Sequence, residues 1–334
     1  DLPVVPLFES REALKGARTI VKEWLKRPGN LQQVQKNWNE RFEVLLGYSD
    51  SAKQIGVLPS LLLIRNSMFQ LEKTLKKLKV KPIFFHGSGG SVARGGGSLR
   101  EQILWWPNSA IQMPKLTVQG EMIQRIFATK EILNSQCLHL SNRAQLGKSK
   151  KLKIEPSTAL DKFAQLIENT YIEFISDSQL LPFCLEATPY HYLKVLKIGS
   201  RPAKRATDVP SLSSLRAIPW VLCWTQTRLL LPTWLGVGKA WGWLTKAEQS
   251  EMQELYVRDP FFSSFVKAQG FTLAKVELGI WNKYLTERHG KKAEKVSEQF
   301  ASEYQKALKF VKDVSGSKQL ISHKPWLEES IKLR

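Results

Sequence analysis

The sequence predicts an α/β protein in which a parallel sheet or barrel is followed by a helical region. Short apolar runs alternate with helix-like segments over residues 1–86, and the chain beyond residue 100 carries mainly helical patterns. Parallel strands need a crossover connection, usually a helix, so this alternation favours a parallel sheet or a (β/α) barrel over a hairpin architecture.

The predicted elements follow one another closely. A buried strand is expected over residues 4–8, a helix over 11–26, a second strand over 42–47, a long helix over 59–79 and a third strand over 83–85. The long helix is indicated by apolar residues that recur every three or four positions and so share one face. These residues are Leu61, Ile64, Met68, Leu71, Leu75 and Leu78.

Polar residues follow all three predicted strands, namely Glu9, Asp50 and His86. The carboxyl ends of parallel strands lie at one edge of a sheet, where active sites of such folds form. Two carboxylates there suit a hard divalent cation. The alternative is a pair of ordinary acids that cap helices or form ion pairs, and spacing alone favours that alternative. Lys53 could bind a carboxylate or phosphate, or lie on the surface.

Residues 84–97 form the most informative stretch, because a short apolar run leads into a loop that contains His86, Arg94 and six glycines. Glycine allows backbone N–H groups to approach a bound anion closely. A histidine and an arginine add a proton carrier or anion ligand and a fixed positive charge, although a lone histidine is more often structural. The loop therefore suits chemistry on a phosphate or carboxylate, and the alternative is a flexible glycine linker.

Further arginines and lysines form a predicted cationic cluster with Arg94, since arginine binds carboxylate and phosphate through two parallel hydrogen bonds. Its other members are Arg201, Lys204, Arg205 and Arg216.

The later part of the chain is expected to be helical. Residues 157–175 carry an apolar stripe, and the tail from about residue 245 reads as helix throughout. Trp220, Trp224 and Trp234 are expected in the core and not in a ligand platform.

Composition excludes some classes of protein. No apolar run in the 334 residues is long enough to span a membrane without polar interruption. Cys137, Cys184 and Cys223 lack metal-ligand spacing and are expected to be buried thiols in a reducing cytoplasm. The net charge of +20 is compatible with anionic partners. Its lysine runs are not interleaved with aromatic residues, so solvated faces are favoured over a nucleic-acid site.

Eight segments together resemble the phosphoenolpyruvate carboxylase family of the large bacterial and plant type, in the family's order. They are VPLFE at 5–9, GYSDSAK at 47–53, FHGSGGSVARGGG at 85–97, TVQGEMI at 117–123, GSRPAKR at 199–205, LRAIPW at 215–220, WTQTRLLLPTWLG at 224–236 and PWLEESIKLR at 325–334. The resemblance covers nearly the whole chain but only the later part of the family's longer sequence.

The resemblance implies a helix-rich TIM-like barrel of the phosphoenolpyruvate-binding type, supplied in part by residues 1–240. Residues 241–334 would form a helical extension with effector-site residues. The implied activity is carboxylation of phosphoenolpyruvate with bicarbonate to oxaloacetate and phosphate, dependent on Mg²⁺ or Mn²⁺ and without biotin. It also implies a cytoplasmic homo-oligomer, usually a tetramer, or assembly with a complementary amino-terminal segment.

The same resemblance assigns roles to residues. Glu9 and Asp50 align with metal ligands, and a further set aligns with the substrate and bicarbonate pocket: Lys53, His86, Arg94, Arg201 and Arg216. Arg94, Lys275 and Arg334 match positions that bind the feedback inhibitor, aspartate or malate.

The chain departs from the family pattern at several positions. Ser88 stands where the family motif His-Gly-Arg-Gly-Gly has a central catalytic arginine. Ala93 replaces a glycine, Ser98 a proline and Gln54 an acid, and the usual Gly-Gly between the two arginine loops is absent. A neutral hydroxyl cannot replace the arginine's charge, so a second hypothesis is a catalytically degenerate homologue that acts as an anion-binding or regulatory protein.

Overall fold

The structure is a computed structural model that describes residues 2–94, 96–118, 123–124, 127–149, 156–193, 195–196 and 216–333. The chain forms two compact units. The first contains residues 1–52 and 60–156, and the second contains residues 53–59 and 157–334. This division by contacts differs from the functional partition at residue 240 expected from the sequence.

The described part of the first unit contains four strands and a set of helices. The strands are β1 (Leu7–Phe8), β2 (Arg41–Gly47), β3 (Lys81–Gly87) and β4 (Lys115–Leu116). The helices are α1 (Arg11–Lys26), α2 (Asn30–Asn37), α3 (Ser49–Ile55), α4 (Val57–Lys77), α5 (Leu99–Gln102), α6 (Asn108–Gln112) and α7 (Lys130–Ser149), of which α3 and α4 include residues of the second unit.

The four strands form one parallel sheet whose order in space is their order along the chain. Leu46 is paired with Phe8 on one side and with His86 on the other, and His86 is paired with Leu116. The α/β class and the parallel sheet predicted from the sequence are thus confirmed.

The two faces of this sheet differ in burial. Phe42, Val44 and Leu46 alternate along β2 and are at most 3% exposed. The opposite face carries half-buried side chains, and a hydrogen-bonded ion pair between Lys115 Nζ and Glu43 Oε1 (2.6 Å) crosses it. Because buried and more exposed positions alternate along β2, its sequence shows the period-two pattern that predicts a strand.

The first helix has the bounds predicted from the sequence, because α1 spans Arg11–Lys26. Its start is capped by Ser10 Oγ, which accepts a hydrogen bond from the Ala13 amide at 3.1 Å. The long helix begins and ends two residues earlier than expected. Four residues of its predicted apolar stripe, Ile64, Met68, Leu71 and Leu75, are fully buried. Leu61 is half-buried, and Leu78 lies just beyond the helix.

The prediction for the first strand is wrong in length and in burial. Only Leu7 and Phe8 form β1, and Val4, Val5 and Leu7 are 65%, 39% and 40% exposed. Pro6 has no N–H to donate to a ladder, and β1 is the last strand on its side of the described sheet. Only Phe8 therefore reaches the buried face.

The second unit is helical among its described residues, which confirms the expectation for the later chain. Its helices are α8 (Thr158–Ser176), α9 (Leu180–Glu186), α10 (Tyr190–Leu193), α11 (Ala217–Gln226), α12 (Leu231–Trp234), α13 (Val237–Trp243), α14 (Lys246–Arg258), α15 (Pro260–Leu273), α16 (Leu278–His289), α17 (Ala293–Ser315) and α18 (Pro325–Lys332). In the described part of the chain, no helix combines the length and apolarity that a bilayer crossing requires.

Aromatic side chains fill the core of the second unit. Trp220, Trp224 and Trp234 are at most 1% exposed, so their expected place in the core is confirmed. All three cysteines are free thiols. Cys184 and Cys223 are buried as expected, but the expectation is wrong for Cys137, which is exposed on α7.

Candidate active site at the carboxyl ends of the strands

Glu9 and the end of β2 approach each other unusually closely. A Cβ built on Gly47 would overlap the Cβ of Glu9 and would lie 2.9 Å from the Glu9 Cα. Glycine is therefore required at position 47 because Glu9 lies so close to it. Backbone conformation is not the reason, since the φ of Gly47 lies outside the left-handed region. The missing side chain lets the Glu9 carboxylate lie directly beside the carboxyl end of β2.

Asp50 lies in the first turn of α3, three residues after Gly47. A helix amino terminus favours a negative charge, so a carboxylate is well placed there. Asp50 and Glu9 are both partly exposed and can reach a ligand. Lys53 lies one turn later on the same helix and is buried, with 4% of its surface exposed.

His86, at the end of β3, is completely buried. Its Nδ1 lies 2.7 Å from the Tyr48 hydroxyl oxygen, and its ring stacks on Trp106 with centroids 3.6 Å apart and planes 5° apart. Among the described residues, its buried Nε2 has no hydrogen-bond partner. Burial lowers the pKa of His86 to about 3, so the imidazole is neutral at physiological pH.

This contact joins two strand ends. Tyr48 follows β2 immediately and His86 belongs to β3, so their hydrogen bond connects the segment that carries Asp50 with the glycine-rich loop. The sequence is compatible with His86 as a proton carrier, an anion ligand or a structural histidine. Its position between a tyrosine and a tryptophan favours a structural contribution.

The neutral buried imidazole predicts destabilisation at mildly acidic pH. The unfolded chain takes up a proton near pH 6.5, whereas folded His86 stays neutral to about pH 3. Stability should therefore be full above pH 6.5 and fall as pH decreases, by at most about 1.4 kcal/mol per pH unit from this group.

Urea unfolding between about pH 7.5 and 5 measures this dependence. The His86→Gln variant should lose the acid-dependent part, and the His191→Gln variant, altered at an exposed histidine, should keep it. An unchanged pH dependence in His86→Gln would contradict the assignment.

The glycine-rich loop closes on itself through its backbone. The Gly89 amide donates to Arg94 O (3.3 Å), and the amides of Arg94 and Gly96 both donate to Ser91 O at 3.0 and 2.8 Å. A Cβ on Gly96 would overlap the carbonyl oxygen of Gly89, so position 96 requires glycine. These three N–H groups serve the loop's own fold, whereas the sequence suggests that loop amides approach an anion.

Arg94 is the buried cation of this loop, 8% exposed, and follows Val92 and Ala93 in a single 3₁₀ turn. Ser88 is 9% exposed at the start of the loop. The arginine and the serine are therefore both shielded from solvent.

The remaining predicted site residues belong to the second unit or lie outside the described residues. Arg216 is half-buried just before α11. Lys275 places its ammonium 3.7 Å from the centroid of the Phe271 ring, and burial lowers the pKa of Lys275 to about 8. Arg201 and Arg334 lie outside the described residues.

The residues of the first unit fit a divalent cation that takes few protein ligands. Within the described ranges, no cluster of three or more His, Cys, Asp or Glu residues could hold a metal. Mg²⁺ usually takes one or two carboxylates and completes its shell with water and substrate oxygens. Glu9, seated in the space that a Gly47 side chain would fill, and Asp50 on α3 supply that donor chemistry.

Two partners of His86 were not predicted from the sequence. Tyr48 lies inside the GYSDSAK segment, so its position beside Asp50 was a usable signal. Trp106 lies twenty residues beyond His86, and no spacing links the two.

Comparison with known proteins shows which family this chain resembles. The family model described as phosphoenolpyruvate carboxylase matches residues 1–334. The chain is similar to a phosphoenolpyruvate carboxylase of Synechococcus sp. (strain WH7803), with 33% identity over 100% of this chain and 35% of the relative. It is also similar to that of Trichormus variabilis, with 32% identity over 100% of this chain and 36% of the relative.

The chain thus spans about a third of the length of the curated relatives it matches. The family match extends over every segment that contributes to the site described above. This chain belongs to the phosphoenolpyruvate carboxylase family.

Proposed function

We propose that this chain provides the metal-binding and loop-bearing part of a phosphoenolpyruvate carboxylase. The observation that carries the proposal is the close approach of Glu9 to Gly47, which places a carboxylate at the strand edge where Asp50 also begins its helix. The proposed reaction is that of the family to which the chain belongs, and the carboxylates of Glu9 and Asp50 suit its metal requirement.

The proposed reaction couples phosphoenolpyruvate and bicarbonate without biotin. A bicarbonate oxygen attacks the phosphorus, the bond from phosphorus to the enol oxygen breaks, and carboxyphosphate and the enolate of pyruvate result. Carboxyphosphate releases carbon dioxide, and the enolate carbon forms a bond with it to give oxaloacetate and phosphate. The site must therefore neutralise phosphate charge and exclude water that would protonate the enolate.

Glu9 and Asp50 are proposed to hold Mg²⁺ or Mn²⁺. When bound, a divalent ion neutralises phosphate and enolate charge as a Lewis acid. The two carboxylates fix its position, and their partial exposure leaves room for substrate oxygens.

The cationic residues are proposed to bind the anionic substrates. Lys53, Arg94, Arg201 and Arg216 carry this assignment, in which arginines bind carboxylate or phosphate oxygens in pairs. His86 is assigned to the same pocket, and its burial against Trp106 favours a positioning role for the loop that follows it.

An inhibitor site is proposed from the same resemblance. Arg94, Lys275 and Arg334 are the proposed ligands of aspartate or malate. A pKa near 8 keeps Lys275 mostly protonated at neutral pH, which suits an acidic ligand.

The sheet is proposed to be part of a TIM-like (β/α) barrel. Sequential order of four parallel strands is the order of adjacent barrel strands, and the half-buried face with Glu43, Leu45 and Phe85 would become the barrel interior. A complementary amino-terminal segment would supply the remaining strands. A cytoplasmic homo-oligomer, usually a tetramer in this family, completes the proposal.

The test is formation of oxaloacetate by the full polypeptide, measured by coupling to NADH oxidation. We expect turnover that requires both bicarbonate and Mg²⁺. Glu9→Ala should abolish it, and Glu12→Ala, at a neighbouring carboxylate with a 74% exposed side chain, should leave it unchanged. Turnover of the unaltered protein no greater than that of Glu9→Ala would overturn the proposal.

Ser88 favours a second candidate function, that of a catalytically degenerate homologue. Such a protein would keep the anion and metal pocket and act by binding or regulation. Phosphoenolpyruvate binding that depends on Glu9, together with no turnover in the full polypeptide, would identify this case.

A further inference from the structure

A cavity of about 800 Å³ in the first unit is lined by helices and their connecting turn, and not by the strand ends described above. Its walls come from α1, the turn into α2, the first turns of α2 and the last turns of α4. These segments lead into the amino ends of β2 and β3, whereas Glu9, Asp50 and the glycine-rich loop follow the carboxyl ends. The cavity is therefore separate from the proposed catalytic site.

Six of the residues that line this cavity are basic and none is acidic. They are Arg18, Lys22, Lys26, Arg27, Lys73 and Lys77. In the described part of the chain, none of the six makes an ion pair. We name this set the basic cavity.

The spacing of these cations is unfavourable for an isolated helix. Arg18, Lys22 and Lys26 recur every four residues on α1, and Lys73 and Lys77 do so on α4. Like charges at this spacing repel one another on adjacent turns. Lys26 and Lys77 gain some stabilisation from the carboxyl ends of their helices, but Arg18, Lys22 and Lys73 lie outside those last turns.

Hydrogen bonds that do not involve the cations hold the walls in place. Ser67 Oγ of α4 donates to Leu14 O of α1 at 2.9 Å, and Gln35 Nε2 of α2 donates to Leu78 O at 3.1 Å. Asn30 Nδ2 donates to Trp24 O at 2.8 Å and ties the start of α2 to α1. The helices that form the walls are thus held together without the cations, whose side chains are exposed to solvent and accessible to a ligand.

The start of α2 adds backbone donors to the same cavity. Gly29 adopts a left-handed conformation with φ 82°, no side chain caps the helix, and the first-turn residues Leu31 and Gln32 line the cavity. Uncapped amides at a helix start favour an anion.

We propose that the basic cavity binds a compact polyanion of the oligophosphate class. Its volume lies within the range for small-molecule sites. Six cations around one space match several closely spaced negative charges, and none of the lining residues is aromatic, so no surface is offered for stacking a nucleobase. The phosphate chain is therefore the recognised feature, whether it is free or belongs to a nucleotide. This inference does not depend on the proposed carboxylase activity.

Calorimetric titration of the full polypeptide with sodium tripolyphosphate, at low ionic strength and with a metal chelator present, tests the proposal. The double variant Lys73→Glu, Lys77→Glu should weaken binding by at least about tenfold. A second double variant, Arg18→Gln with Lys22→Gln, should also weaken the binding of tripolyphosphate. It keeps the test valid if the Lys73→Glu, Lys77→Glu variant fails to fold.

The matched control is Lys291→Glu with Lys292→Glu, which changes the net charge equally at exposed positions of the second unit. It should alter the affinity by less than about twofold. Equal weakening by control and cavity variants, or no binding of tripolyphosphate, would overturn the proposal.

Two further titrations separate the possible sources of the anion. ATP and tripolyphosphate should bind with similar affinity and compete, because the cavity recognises the phosphate chain. Binding of ATP without tripolyphosphate would contradict this. Binding confined to duplex DNA, and lost in the cavity variants, would assign the surface to nucleic acid and overturn the proposal.

Discussion

Replacing Ser88 by arginine is expected to raise the turnover number for oxaloacetate formation about 10³-fold. The serine offers a neutral hydroxyl where the family pattern has a cation beside developing negative charge. A preorganised cation in a site with little water stabilises the transition state by several kcal/mol, which corresponds to a factor of about thousands. Ser88 is only 9% exposed, so the restored charge would be poorly screened by solvent.

The measurement is the steady-state rate of the full polypeptide, with Glu9→Ala as the background. Ser91→Arg is the matched control, since it adds the same charge three residues later in the same loop and should leave the rate near that of the unaltered protein. A folded Ser88→Arg protein that binds Mg²⁺ without any gain in rate would show that this substitution is not what limits activity.

Replacing Gly47 by alanine is expected to destabilise the first unit by about 1–3 kcal/mol and to weaken Mn²⁺ binding at least about tenfold. The added methyl group would overlap the Cβ of Glu9, and neither backbone can move without disturbing the pairing of Leu7 with Leu45 and of Phe8 with Leu46. Forcing a methylene into a packed contact usually costs this much. Glu9 would be displaced from its place beside β2, so the metal would lose one carboxylate.

Urea unfolding measures the stability, and electron paramagnetic resonance of Mn²⁺ measures the affinity. Gly16→Ala is the control, because its added Cβ would meet only the Ile20 side chain, at 3.4 Å and beyond. Alanine in the interior of α1 should stabilise the protein by about 0.5–1 kcal/mol. Unchanged Mn²⁺ affinity in Gly47→Ala would remove Glu9 from the metal site.

Helices and strands that bury one face are predictable from the sequence, because their apolar residues recur with a fixed spacing. β2 alternates buried and open positions, and α4 buries a residue every three or four, so both were predicted within two residues. α2 was missed because Val34 is its one buried residue among polar neighbours. β4 was missed because two residues show no period at all.

The residues proposed for the candidate site come from the sequence, whereas the contacts between them are visible only in the structure. Glu9, Asp50 and His86 are proposed because each lies at or shortly after the carboxyl end of a strand predicted from the sequence. Two features of the site were not predictable. One is the stacking of His86 on Trp106, and the other is the close approach of Glu9 that requires glycine at position 47. Both contacts join residues that are distant along the chain, and a single sequence shows no pattern that links them.

The short outer strands of the sheet have a consequence for handling the protein. Each of β1 and β4 contributes only two residues, and the charged pair Glu43–Lys115 joins β2 to β4 across the half-buried face. Brief edges and inward-pointing charges are the devices by which natural sheets avoid recruiting strands from other molecules. The described sheet thus combines two features that disfavour fibre-like aggregation at the concentrations that crystallisation demands.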